Sequence, residues 1–153
     1  MLNSGSLSRF QVVQHIWISP EHFTQEVTDF YFTFLGRGPD AGGLQAWVQA
    51  LENGLTEEQV AFDFLDSPEY LSKGDKNFVD QMYLSVLGRP FDAAGEANWL
   101  NLLGDDPTGK PTHPPTLTHE QVIADFLHSP ESLTRLVEGY YQVFCTGLPT
   151  RTA

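Results

Sequence analysis

The sequence predicts an all-α fold: tandem short-helix modules packed as one compact helical domain. Three observations predict it. Two sequence blocks recur in the same order with matched internal spacing, as repeat architectures require. The blocks open on residues that start helices. The composition, 41% hydrophobic with 11 Phe, 5 Tyr and 3 Trp in 153 residues, supports a real core and excludes global disorder.

The first block runs from Ser8-Arg9-Phe10-Gln11-Val12 to Ser19-Pro20-Glu21. It returns from Thr56-Glu57-Glu58-Gln59-Val60 to Ser67-Pro68-Glu69, and again from Thr118-His119-Glu120-Gln121-Val122 to Ser129-Pro130-Glu131. Ser or Thr followed three residues later by Gln is a capping box, in which each side chain satisfies a backbone donor at the helix start. Apolar residues follow at helical spacing: Val60, Phe64 and Leu65, echoed by Val122, Phe126 and Leu127. Ser-Pro-Glu is a second helix start. Serine caps, proline takes the first helical position where its missing N–H is harmless, and glutamate sits by the positive helix end.

The second block joins Leu35-Gly36-Arg37, Asp40, Gly43, Trp47 and Leu51, and it recurs as Leu87-Gly88-Arg89, Asp92, Gly95, Trp99 and Leu103. Gly36 and Gly88 are expected to stop the preceding helix in a left-handed cap. Asp40 and Asp92 then cap a helix bearing Trp47, Val48 and Leu51, or Trp99, Leu100 and Leu103. Asn53-Gly54 ends the first copy of that helix, and Ser72-Lys73-Gly74-Asp75 is expected to break the helix begun at Ser67.

The expected organisation is therefore a last helix of a preceding module at 8–18, module one at 19–66, and module two at 67–128. The first helix of a partial third module follows at 129–148, ending on Tyr140-Tyr141-Gln142-Val143-Phe144. Starting and ending inside a copy suggests a piece of a longer array. Module two carries an insertion at 104–117, from Gly104-Asp105-Asp106 to Pro114-Pro115. Rich in proline and polar residues, it reads as an exposed, dispensable loop.

The formal charge of −12, from 20 acidic and 8 basic residues without a basic stripe, disfavours nucleic acid and anionic membrane surfaces. Its plain consequence is solubility. No stretch approaches the roughly 20 apolar residues of a membrane helix, and Met1 to Ser6 lacks the pattern of a signal peptide. Cys145 is the sole cysteine, so neither an internal disulfide nor a cysteine-based metal cluster can form.

Phe78-Val79-Asp80-Gln81-Met82-Tyr83-Leu84-Ser85-Val86-Leu87-Gly88-Arg89, followed by Asp92, Gly95, Trp99, a Gln-Val helix and Ser-Pro-Glu, resembles the bacterial domain-of-unknown-function family 4214. The resemblance covers nearly the whole chain. It implies tandem helical modules in large, secreted or surface-associated bacterial proteins, beside calcium-binding repeats or carbohydrate-related domains, and it brings no catalytic residues. The insertion and Cys145-Thr146-Gly147, standing where Leu-Gly-Arg is expected, depart from the family pattern.

Six residues are candidates for a ligand site. Trp47 and Trp99 have the chemistry of sugar-stacking platforms, but their place on an apolar stripe favours core packing. Trp17 aligns with Leu65 and Leu127 and is expected in the core. Arg37 with Asp40, and Arg89 with Asp92, form either a polar notch or a cap plus a local ion pair, the second being favoured. The histidines at 15, 22, 113, 119 and 128 show no metal-ligand spacing. No calcium-loop pattern occurs, and calcium at Asp105-Asp106 is a weaker alternative. No nucleophile–base pair, carboxylate pair or phosphate loop stands out. The expectation is a non-enzymatic structural or interaction module without cofactor or metal, partnered by neighbouring modules of the parent protein or by an unknown protein or glycan, and monomeric. The alternative is a carbohydrate- or calcium-binding accessory module. Exposure of Trp47 and Trp99 discriminates the two.

Overall fold

The computed structural model describes Ser8 and residues 17–141. The expected helix over 8–18, up to its last residues, and Phe144 and Cys145 lie outside the described residues. Every element among the described residues is helical, as the repeat predicts, apart from one isolated bridge between Asp105 and Pro111. The chain divides into two compact units, residues 1–64 and 65–153.

The first unit holds α1 (Pro20–Phe30), α2 (Ala41–Glu52) and α3 (Glu57–Leu65), the last running to its border. Each start is built as the sequence dictates. The Ser19 hydroxyl accepts the His22 N–H at 3.2 Å with Pro20 in the first turn. The Asp40 carboxylate accepts the Gly43 N–H at 2.8 Å. Thr56 and Gln59 cap each other reciprocally, at 3.2 Å and 3.0 Å. One feature was not expected: α1 continues through a π-helical turn, Tyr31–Leu35, before Gly36 stops it at φ +69°. That left-handed cap admits the Arg37 N–H to the Tyr31 carbonyl, 3.3 Å away, closing the wide turn.

Phe23, Val27, Tyr31, Leu51, Val60 and Phe64 form the core of this unit, with Trp47, Val48 and Leu44 packed against it. Val27 and Val60 are fully buried. Burial of such side chains contributes about 1.5–3 kcal/mol each. Trp17, expected in the core, is only half-buried, and its ring lies against His22 with centroids 4.4 Å apart.

The second unit holds α4 (Pro68–Leu71), α5 (Asp75–Ser85), α6 (Ala93–Leu103), α7 (His119–Leu127) and α8 (Pro130–Tyr141). The expected break is present: α4 lasts one turn, and Gly74 at φ +85° precedes α5. Thr118 and Gln121 form the second capping box, at 2.9 Å and 3.3 Å. Phe78, Val79, Met82, Leu100, Val122 and Ile123 are fully buried.

The insertion is exposed and non-helical over most of its length, as expected, but its base packs against its own helix. Residues 110–116 are exposed, but Gly104 and Asp105 are buried and Asp106 is half-buried. Backbone bonds from Thr112 to the Gly104 carbonyl and from Thr116 to the Leu102 carbonyl, both 2.8 Å, fold it back on the end of α6. One Asp106 oxygen collects the Thr108 N–H at 2.7 Å and its hydroxyl at 2.6 Å, which holds that carboxyl below its ordinary range. Gly109 lies against Lys76, 3.0 Å from where its own Cβ would stand. Prolines exclude helix from this segment, as the sequence implies, yet they do not keep it from packing.

No helix among the described residues is long and apolar enough to cross a membrane.

Candidate functional site

Each unit contains the same constellation. In the first, the π-turn carries Tyr31, whose ring meets Phe64 of α3 edge-on at 4.9 Å, and Trp47 of α2 covers the same Phe64 at 5.2 Å. In the second, Tyr83 and Trp99 meet Phe126 at 5.2 Å and 4.9 Å. One aromatic ring from each of three helices thus locks the module. Both indoles are half-buried with a face on phenylalanine, so they close the core of their unit rather than stand as open platforms.

Arg37 lies over the Tyr31 ring at 5.0 Å, and its Nη1 is 4.0 Å from Asp40. Arg89 lies over Tyr83 at 5.0 Å and 3.8 Å from Asp92. The aspartates face their own helices: the Gly43 N–H holds the Asp40 carboxyl below its ordinary value. The glycine is needed here because a Cβ at Gly43 or Gly95 would overlap the hydroxyl of Tyr31 or Tyr83. The Asp-x-x-Gly spacing therefore serves one turn twice, as a cap at its first residue and as a gap for tyrosine at its fourth. Arg89 does more than pair locally. It forks onto Glu131 of α8, Nε to Oε1 at 2.5 Å and Nη2 to Oε2 at 3.0 Å. That bond raises the Arg89 pKa and lowers that of Glu131. Arg135 reinforces the junction by donating to the Ser85 and Val86 carbonyls at the end of α5, at 3.0 Å and 2.9 Å.

A second cluster escaped the sequence reading. His22 and Glu26 stand one turn apart on α1, and the first residue of α3 brings Glu57 to them. His22 Nε2 is 3.9 Å from Glu26 Oε2 and 4.0 Å from Glu57 Oε1. All three ligand-capable atoms lie within 4.8 Å of one another. Neither His22 Nε2 nor Glu26 Oε2 has a hydrogen-bond partner, and both atoms are buried. Burial, then a side-chain hydrogen bond with Glu57 and the charges of Glu57 and Asp29, pushes the Glu26 carboxyl up to about 8. The signal was the His-x-x-x-Glu spacing, which puts both groups on one helix face; a search for paired histidines passes over it.

The second unit uses polar groups differently. Glu96, buried at the position equivalent to Leu44, forms an ion pair with Lys76. His119 pairs with Asp75 at 2.9 Å, while Asp105 is pushed up by burial and then by Asp75. Among the described residues these groups meet as pairs, and His22, Glu26 and Glu57 are the set that converges in threes.

Two stretches, residues 22–74 and 71–136, each match a protein family described as a domain of unknown function, DUF4214. No curated protein and no solved structure shows a significant match.

Proposed function

The chain belongs to the DUF4214 family, and we propose that it is a non-enzymatic structural and interaction module whose partners are neighbouring modules of the same kind. The setting proposed for it is a larger secreted or cell-surface bacterial protein, in which such modules space and dock other domains.

The observation that carries this reading is the apolar stripe of α8. Leu133, Leu136 and Val137 are 47%, 52% and 65% exposed. By the register of Ser-Pro-Glu, Leu133 and Val137 occupy the positions of Phe23 and Val27 in α1, which are 8% and 0% exposed. In the first unit the second and third helices of the module cover those positions. The fitting occupant of the α8 stripe is therefore the same pair of helices from another module, which is how repeat arrays build a continuous core. The Asp-x-x-Gly carboxylates are engaged as caps inside their modules and Arg89 pairs with Glu131 of the following one, which supports a scaffold over a ligand notch.

Light scattering over a wide concentration range tests the proposal. A monomer with weak, concentration-dependent association is expected, and Val137→Asp should abolish the association. A tight dimer independent of concentration, or association untouched by Val137→Asp, would overturn it. Glycan binding lost in Trp47→Ala or Trp99→Ala would instead establish the accessory-module reading.

A further inference from the structure

We propose that His22, Glu26 and Glu57 form a binding site for one first-row divalent cation of the zinc type. Glu26 is equivalent to Phe78 of the second unit, and Glu57 is equivalent to His119. There Phe78 is fully buried and its ring meets His119 edge-on at 4.8 Å. One copy of the module thus fills this spot with an aromatic ring, and the other places a carboxylate in it. A carboxylate at such a position carries a desolvation penalty unless it takes up a proton or a counter-charge meets it.

Among the described residues, the basic group that approaches Glu26 is the His22 imidazole, 3.9 Å from Oε2. Glu26 Oε2 and His22 Nε2 are both buried and both without a hydrogen-bond partner. They face each other across 3.9 Å, with Glu57 Oε1 4.0 Å from the imidazole nitrogen. Bonds of about 2.0–2.2 Å in a tetrahedral site place ligand atoms roughly 3.3–3.6 Å apart. The two carboxylate oxygens each need to close on the imidazole nitrogen by about half an ångström, within the reach of a glutamate rotamer adjustment. A dication with two carboxylates and a neutral imidazole leaves the site uncharged, which removes the penalty.

The donor set also selects the ion. An imidazole with two carboxylates suits zinc and its neighbours, whereas calcium and magnesium take oxygen ligands. Three protein ligands leave a fourth position for water, and the side chains keep 27%, 17% and 27% exposure, enough for an ion to enter. The Trp17 ring against His22 limits the ways the imidazole can turn.

The test is a calorimetric titration of the chelator-stripped full chain with Zn²⁺, joined to the visible spectrum of the Co²⁺ form. Expected are one ion bound per chain and a tetrahedral Co²⁺ spectrum. His22→Ala and Glu26→Gln should each weaken binding at least tenfold, and His119→Ala in the second unit should leave it unchanged. Glu26→Gln keeps the shape of the side chain, so it decides the matter if His22→Ala fails to fold, as helical circular dichroism would reveal. No saturable binding, binding that survives Glu26→Gln, binding lost in His119→Ala, or ready displacement of Zn²⁺ by equimolar Ca²⁺ would each overturn the proposal.

Discussion

At the scale of single residues, the module depends on a glycine and a tyrosine that fit together. Gly95 has no Cβ because the Tyr83 hydroxyl stands where one would be. Gly95→Ala should therefore cost about 1–3 kcal/mol, the usual penalty of overpacking. In a Tyr83→Phe background, where the obstructing oxygen is gone, the same substitution should cost clearly less. Urea denaturation of the two single variants and the double variant measures the coupling, and strictly additive effects would show that the close approach does not matter. Glu26 gives a second prediction. In the folded, metal-free chain its carboxyl keeps a proton up to about pH 8, under the influence of burial, Glu57 and Asp29. Unfolded, it releases that proton near 4.5. Between these values the folded state binds more protons than the unfolded state, so stability falls as pH rises through that window. Denaturation midpoints of chelator-treated protein at about pH 5 and about pH 9 should show the fall, and Glu26→Gln should flatten it. A midpoint that climbs toward pH 9 and ignores Glu26→Gln would exclude this account.

At the scale of elements, local chemistry was legible and convergence was not. Ser19, Asp40, Thr56, Ser67, Asp92, Thr118 and Ser129 start helices because their side-chain oxygens reach N–H groups three residues ahead, and such contacts need no tertiary context. Thr56→Ala should accordingly cost roughly 0.5–2 kcal/mol, read as a lowered melting temperature. The π-turn at Tyr31–Leu35 left no mark in the residue pattern, since the matching Tyr83–Leu87 stretch ends its helix earlier. Trp17 aligned with two leucines and was expected in the core, but its ring ends beside His22. The insertion misled for a physical reason: prolines and polar residues announce non-helical backbone, yet not whether that backbone returns to its own helix. Asp105, buried at the base, and Gly109, against Lys76, record that return. Replacing residues 104–115 by Asn-Gly should thus lower stability, by about 1–3 kcal/mol for the hydrogen bonds and packing removed. Unchanged urea denaturation would restore the simple-loop reading. The candidate notch was half legible. Asp40 and Asp92 cap as the spacing implies, while the partner of Arg89 stands 42 residues away.

At the scale of the whole molecule, the repeat explains why one pattern yields a core, a junction and an uncovered stripe. The three-ring lock of Tyr, Trp and Phe closes each module from within, and Ser-Pro-Glu starts the helix that leaves it. The second copy departs most where polar side chains replace apolar ones: Glu96 for Leu44 and Asp75 for Phe23. Those exchanges are matched by Lys76 and His119, and the Glu26-for-Phe78 exchange in the first unit is met by the His22 imidazole at 3.9 Å. Raising ionic strength should leave the aromatic locks intact while weakening the exposed Arg89–Glu131 contact. Amide exchange in α8 should then quicken in high salt before that in α5, and equal protection of the two would argue against the contact holding α8 in place. The same contact has a consequence for load. It ties the arginine after one module's first helix to the first turn of the helix that opens the next. A tension transmitted along such an array would be borne at this charged clasp before it reached the aromatic lock. The junction of α8 with its unit would then yield and re-form like a fuse, sparing the folded module before it.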